Sequence, residues 1–575
     1  MSQLPGSAPT TRWLHGHFTS ADEALHACVR DRHLQRLRQL LGASPAPNVN
    51  YSHPLVGPPV HFAALCGDLD AVELLLAAGA DPLLVSDGDD PLTAIGFAAL
   101  EGHRDVIRRL WMSCPPEGHV QGLKPYQTCL VVAARRGHAA AVEDLLGWWD
   151  GWPLELKAEA LLWAARRWHL GVATLLLGRA SFEQSTIQEA LHAAARRRFL
   201  LADEFKVKYE GIDYLDQQQL IALLIDAGAD PNSCPDKTPL VCSAAYDANL
   251  TGALKMLLEK GADPNKTNGL GKSALRVLAT AVGVGFPPHR IQNETAIRLL
   301  LQHNASVTRP DNAGECPLHW AAYGLDLRLF RLYLSSPSDL GHDALLRLTN
   351  KNGETLLHYA AAGCRVEVME FLLARGLDVN AKNSNGWTPL MCALVPVCSD
   401  SFTAANSPAE AMRAAQCLLS HGADASIVTE EGWTPLHGLA LHCDDDVMGR
   451  AADLAKDLIS RGVDPEARAP LLSPGAREAV PSLSLPWGYR LRDAMANPAT
   501  QKTIVRPGLT PLYWAAERGA VGVVRALLAH GVDVSSTGVD GISPTRMAAE
   551  SKFLKKRPEL VDDLIGLLLA AGAGF

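Results

Sequence analysis

The sequence predicts an all-α solenoid of about 14 stacked helix-turn-helix units with short β-hairpin fingers, and three observations carry that prediction. A short pattern, leucine-x-x-Ala-Ala-x-x-Gly, returns along the chain with a period near 33. After it comes a second apolar stripe at helical spacing, as in Val72, Leu75 and Leu76. The length of 575 residues exceeds what one globular core sustains, so several domains or a repeat array are required.

The register is set by the leucine slot. It holds Leu25, Val60, Ile95, Leu130, Leu161, Leu191, Leu240, Leu275, Leu318, Leu357, Leu390, Leu436, Leu512 and Thr545, the first four 35 residues apart. Its best copies read Thr388-Pro389-Leu390, Thr434-Pro435-Leu436 and Thr510-Pro511-Leu512. A threonine there can cap the first helix, and proline suits a first helical position, where its missing N–H would have no partner anyway. The small pairs Ala63-Ala64, Ala133-Ala134, Ala321-Ala322 and Ala515-Ala516 let neighbouring helices approach. Gly67, Gly102, Gly137 and Gly519 then end the first helix. After the second helix, Gly79-Ala80-Asp81-Pro82 recurs as Gly228-Ala229-Asp230-Pro231 and Gly261-Ala262-Asp263-Pro264, stopping the helix and turning the chain.

These motifs resemble the ankyrin repeat family, over roughly residues 20–575. The resemblance implies antiparallel helix pairs stacked side by side with hairpin-like fingers, no fused catalytic domain, and a protein-binding scaffold or adaptor as the function. Alternatives are a targeting or regulatory subunit of an enzyme complex or pathway, and a nucleic-acid-associated regulator. The units at Leu161, Leu191 and Leu275 depart by lacking Thr-Pro, and the one at Thr545 lacks the leucine.

The organisation follows from the register. Residues 1–19 are a tail and 20–465 a block of about 12 units, interrupted near 200–216, 282–293 and 395–408. Residues 466–506 are an insertion with Pro470, Pro474, Pro481, Pro486 and Pro498, read as a protease-sensitive loop that divides the array. Residues 507–575 hold the last repeats and a cap, with no room after Phe575 for an effector domain.

Composition narrows the function. Hydrophobic residues are 47% and charged residues 20%, enough for a large core. The net charge of −9 argues against nucleic acid as the main partner. No window has the roughly 18 apolar residues of a membrane span, and Met1–Ser20 lacks a signal-peptide core. The twelve cysteines form no CxxC pair and read as reduced, buried thiols. A monomer in the cytoplasm, or alternatively the nucleus, is expected. No catalytic, metal or cofactor site is expected either: most of the twenty histidines fall on register positions, such as His61, His358 and His437 after the leucine slot. Gly269-Leu270-Gly271-Lys272-Ser273 resembles the end of a phosphate loop but lacks the earlier glycine, Lys266 standing there.

Two features stand above the repeat background. Arg135-Arg136, Arg166-Arg167 and Arg196-Arg197, with Arg198 beside them, occupy the same slots in three successive units. Such a ladder would suit a partner with an acidic segment, unless acids such as Glu143 and Asp144 compensate it. Trp148, Trp149 and Trp152 fall in a turn between units, where exposed aromatics beside arginine would make a binding hot spot. Trp163 sits in a core slot, and Trp387 and Trp433 in finger positions are weaker candidates. The partner site is therefore expected on the groove and fingers of the units at Leu130, Leu161 and Leu191.

Overall fold

The computed structural model describes residues 21–44, 46–52, 57–86, 91–124, 127–195, 214–246, 251–281, 290–336, 340–395, 408–442, 449–474, 503–535, 541–551, 554 and 557–574. It falls into two compact halves, Met1–Asp263 and Pro264–Phe575. Both are runs of paired helices. In the first half a unit is typified by Cys129–Arg136 followed by Ala139–Trp148, and in the second by Leu356–Ala362 followed by Val366–Leu373. First helices pack on the first helices of the next unit: Pro59–Leu65 on Ala94–Glu101, that on Cys129–Arg136, and that on Leu154–Arg167.

The leucine slot is the core. Every one of its described occupants is almost fully buried, Thr545 included. Thr545 fits because its hydroxyl bonds Ser543 Oγ at 2.7 Å and the Gly574 carbonyl, so no polar atom is stranded. The Ala-Ala pairs are likewise fully buried, which is what lets the first helices come together.

The turn after the first helix explains its glycine twice over. Gly67, Gly102 and Gly137 have φ of 68°, 75° and 82°. A Cβ on Gly137 would also lie 2.5 Å from Nδ1 of His169 in the next unit, and Gly67 and Gly102 meet His103 and His138 the same way. Those histidines are inter-unit ties. His103 Nε2 donates to Leu65 O at 3.1 Å, His138 to Leu100 O at 3.0 Å and His169 to Arg135 O at 3.2 Å. Arg365 Nε does the same work in the second half, donating to Tyr323 O at 3.1 Å. Each tie satisfies a helix-end carbonyl of one unit with a side chain of the next. The slot keeps positive φ even without glycine, at Arg32 (54°), Trp168 (60°) and Cys364 (53°), so the turn is imposed by the stack.

A second set of histidines binds forward. His358 Nδ1 accepts from the Thr355 N–H at 3.1 Å while its Nε2 donates to Trp387 O at 3.0 Å. His437 does so with Thr434 N and Leu509 O, at 3.1 and 3.4 Å. Cys316 replaces the threonine once, with its Sγ 2.8 Å from His319 Nδ1. Burial pushes that thiol up to about 11 and the imidazole down to about 4, so the pair is a neutral helix cap and not an activated nucleophile.

Three expectations are corrected here. Fingers are missing where the site was expected: at Leu161 and Leu191 the first helices start early, as Leu154–Arg167 and Gln184–Ala194. Both units have glutamate, Glu159 and Glu189, where others have Thr93, Thr128 or Ser273 two residues before the slot, so no short hydroxyl side chain caps the helix at that point. Next, the two ends of the 466–506 segment are strands, Ala469–Pro474 (β1) pairing antiparallel with Thr503–Leu509 (β2), Leu472 opposite Val505, while 475–502 lie outside the described residues. Third, the array is not divided there. Arg450–Ser460 packs on Val521–His530, and the Trp433 and Trp514 rings meet edge to face at 4.2 Å. The interruptions at 200–216, 282–293 and 395–408 lie largely outside the described residues, although helices begin at Arg290 and Pro408.

Two outcomes follow. Gly137→Ala should destabilise by about 1–3 kcal/mol, from positive φ plus the clash. His169→Ala added to it should relieve only the clash, which paired denaturation curves would register as partial recovery. The second concerns pH. Burial lowers His61, His319, His437 and His442 to about 4 from an unfolded value of 6.5. Their neutral forms therefore give full stability above 6.5, and it is lost as pH falls toward 4, by up to about 1.4 kcal/mol per pH unit for each histidine. Thermal midpoints should fall steadily from pH 7 to 5, and less steeply in His437→Gln; a flat profile would contradict this.

Candidate functional site

The arginine ladder rests on the C-terminal ends of first helices. Arg135 and Arg136 end Cys129–Arg136, and Arg166 and Arg167 end Leu154–Arg167. Arg196, Arg197 and Arg198 lie outside the described residues. The four described arginines are not equivalent. Arg136 is partly structural: its Nε donates to Leu100 O at 3.2 Å and its Nη2 meets Glu101 at 3.5 Å, both in the preceding unit. Arg135 and Arg166 instead both place their guanidinium over the ring of Trp163, at 5.7 and 5.1 Å from its centroid. Arg166 is exposed, while Arg135 and Trp163 are half-buried. The indole is fixed in turn, its Nε1 donating to Glu159 at 2.8 Å one turn earlier.

The acids considered as compensation are engaged elsewhere. Asp144 pairs with Arg104 at 2.7 Å and Glu143 with Arg179 at 4.0 Å. The arrangement joins arginines of two units to one aromatic plate.

The tryptophan cluster is a different place. Ala139–Trp148 has 10 residues and starts at the Gly137 turn, so Arg136 and Trp148 stand at opposite ends of the helix pair, about 15 Å apart. Closeness in sequence had suggested one site. Trp152 is corrected outright: it is 3% exposed, and its Nε1 donates to Leu145 O at 2.8 Å. The organising residue is Trp111, buried at the end of the preceding unit's second helix. Its ring stacks on His119 at 4.8 Å and on Trp152 at 5.4 Å, and lies within 6.4 Å of both Trp148 and Trp149. Trp148 and Trp149 remain half-exposed, with Met112 and Leu154 exposed nearby in the chain. Trp387 and Trp433 are buried, which removes them as surface candidates.

The reading from sequence placed Trp163 among core residues, as Trp320, Tyr359 and Trp514 are. The signal was present: Arg166 follows it by three residues, one helical turn, and Arg135 holds the facing slot of the unit before.

A buried chain of charged and polar groups, with no counterpart in the sequence reading, crosses the second half. Arg276 lies 3.6 Å from Asp311, 3.9 Å from Glu315 and 3.6 Å from the Trp320 centroid. Glu315 accepts from Trp320 Nε1 at 3.0 Å and Tyr359 Oη at 2.7 Å. Asn350 Nδ2 donates to Tyr359 Oη at 3.0 Å and to Glu354 at 2.6 Å, and Asn383 Nδ2 donates to Glu354 at 3.1 Å. Burial raises Glu315 against the pull of Tyr359 and Arg276, and burial lowers Arg276. Lys272, from the phosphate-loop look-alike, sits in a finger where the Asn268 carboxamide accepts its backbone N–H at 3.0 Å. It is one more register residue, its ammonium lowered mainly by burial.

Stacked helix pairs tied by neighbour-to-neighbour bonds define a helical repeat array. Profiles described as ankyrin repeats match residues 60–151 (three copies), 339–391 (many copies), and 431–470 and 507–538 (single repeats). The chain belongs to the ankyrin-repeat family, whose repeats mediate binding to proteins and are generally not catalytic. It is similar to the human ankyrin repeat and SOCS box protein 14, at 33% identity over 97 residues, 17% of this chain and 16% of that one. To the human SH3 and multiple ankyrin repeat domains protein 2 it is 31% identical over 179 residues, 30% of this chain and 9% of that one. To mouse protein phosphatase 1 regulatory subunit 12A it is 45% identical over 67 residues, 12% and 6% of the two chains. This chain thus spans less than a fifth of each of these relatives. Among the described residues no helix is long and apolar enough to cross a membrane.

Replacing Glu315 by Leu should remove the acceptor that Tyr359 Oη and Trp320 Nε1 share and one of the two carboxylates beside Arg276, at a cost of about 3 kcal/mol. Amide exchange should accelerate together in Ala274–Ala281, Pro317–Gly324 and Leu356–Ala362, and hardly at all in the distant Pro511–Arg518. Unchanged exchange in the first three would show that the chain of bonds holds nothing.

Proposed function

We propose that this protein is a non-catalytic scaffold or adaptor that binds a partner protein through an acidic segment. The frame is a run of about fourteen repeat units, joined by short hairpin fingers except at Leu161 and Leu191. The binding face is formed by the first-helix ends of the units at Leu130 and Leu161, continuing to that at Leu191. The observation that carries this reading is the convergence of Arg135 and Arg166 on Trp163. Arg136 and Arg167 flank the pair, Arg136 also tying the stack together. Trp148 and Trp149 form a separate, half-exposed edge available to the same or another partner.

A second reading is a targeting or regulatory subunit of an enzyme complex. It rests on the 67 residues similar to a protein named as a phosphatase regulatory subunit. The two differ in what copurifies: a stoichiometric catalytic subunit belongs to the second reading only.

The test is quantitative affinity purification with wild type and an Arg135→Glu, Arg166→Glu variant. Arg136 is left intact because its loss would loosen the stack. The natural partner should be depleted roughly tenfold or more from the variant at low salt, with a near-normal melting curve, as expected for charge pairs that steer association. Equal recovery from both would place the partner elsewhere.

A further inference from the structure

We infer that the second-helix face of the units at Leu318 and Leu357 is self-complementary and pairs two copies of this chain about a two-fold axis near Phe371. The second helices there, Leu327–Leu334 and Val366–Leu373, pack on each other and leave an open groove of about 480 Å³. Leu327 and Arg331 line it from the first, Glu367, Glu370 and Phe371 from the second, and Arg375 from the turn that follows. The guanidinium carbon of Arg375 lies 3.7 Å from the centroid of the Phe371 ring, and that of Arg331 lies 5.0 Å from it. The ring is anchored edge to face against the buried Phe330, at 6.0 Å. All four charged residues are exposed, and among the described residues none of their side chains has an ion pair or a hydrogen bond.

The order of these residues names the occupant. Glu367, Phe371 and Arg375 are spaced by four, so they follow one another along one side of the helix and its final turn. The series is acid, ring, base, and from the other end it reads base, ring, acid. When two such helices lie antiparallel, Glu367 of each copy faces Arg375 of the other and the two Phe371 rings meet at the axis. That reciprocity, residue i on j and j on i, is the property of a two-fold contact. The charge of the face supports it. The chain carries a net charge of −9, which makes two copies repel, but on this face two arginines cancel two glutamates. Two copies apposed here do not meet as like-charged surfaces. The groove beside the ring receives side chains of the facing helix, as ridges enter grooves between packed helices. One helix pair is a small contact, so the association is weak, and the monomer expected from the sequence is the dilute state. The pairing does not depend on the arginines at Trp163.

Sedimentation of the full chain at low salt, from about 1 μM to about 1 mM, reads the pairing. The weight-average mass should rise with concentration toward twice that of the monomer, and added salt should lower it by screening the charge pairs. Glu367→Arg and Arg375→Glu should each weaken dimerisation about tenfold or more, because each sets two pairs of like charges against one another across the axis. The double variant, Glu367→Arg with Arg375→Glu, exchanges the signs and restores both pairs, so it should return to within about threefold of wild type. If Arg375→Glu melts far below wild type for want of its contact with Phe371, Arg375→Gln takes its place and should weaken the dimer about threefold while reducing its salt dependence. A chain monomeric at every concentration would assign the face to some other partner and overturn the pairing. Dimers unmoved by the single variants would overturn it as well, placing the contact elsewhere. Single variants that weaken the dimer without rescue by the exchange would overturn the antiparallel register.

Discussion

Helix-end carbonyls of one unit are satisfied by a side chain of the next at several described junctions, and that dependence organises the rest of the structure. The tie from His138 to Leu100 O, or from His169 to Arg135 O, requires the ring to lie on the α-carbon of the preceding turn. That approach forbids a Cβ and so demands glycine at positions 102 and 137, with a left-handed turn that glycine also eases. The left-handed turn then sends the second helix back antiparallel. A single repeat therefore cannot be stable by itself, and stability accumulates through nearest-neighbour interfaces.

This dependence explains why so much of the fold was legible in the sequence. The leucine slot, the Ala-Ala pairs, the Gly-His turns and the Thr-Pro-Leu-His starts are each fixed by an interface that recurs, so each recurs in the sequence. Residues answering to a single neighbour were less legible. Trp152 and Trp163 looked alike as tryptophans near arginines. One fills a hole beside Trp111, and the other lies under two arginines; only the packing of neighbouring units separates the cases. The distance between the arginines and Trp148 was hidden for a related reason. An antiparallel helix pair sends residues a dozen apart in sequence to opposite ends.

The chain from Arg276 to Asn383 was missed because its members occupy variable slots whose meaning depends on what faces them. One slot, the residue after the finger glycine, holds Lys272, Glu315, Glu354, Trp387 and Trp433 in turn. Where it is charged, the facing residues are Arg276, Tyr359 and Asn383, and the interior is bridged by hydrogen bonds. Where it is tryptophan, rings meet instead, Trp387 with Trp433 at 5.2 Å and Trp433 with Trp514 at 4.2 Å. Both solutions fill the same strip, but they cannot be interleaved. A carboxylate facing Trp433 would have no donor chain, and an indole facing Arg276 and Asp311 would leave a charge without its partner. The order of units is thus specified by side-chain chemistry as well as by covalent connection.

The place where the repeat rules lapse is the same place where the arginines gather. Around Leu161 the Thr-Pro start is gone, the first helix is 14 residues long, and Trp168 occupies the glycine slot at a φ of 60°. Trp168 is tolerated because its indole turns forward to Ala194 O at 3.0 Å, where earlier units receive a histidine from the next one. Here a tie runs from the earlier unit to the later one, opposite in direction to those of His103, His138 and His169. A tryptophan in left-handed geometry carries strain, which its burial and its hydrogen bond offset. The unit that departs from the repeat rules is thus also the one whose Trp163 is approached by arginines from two units.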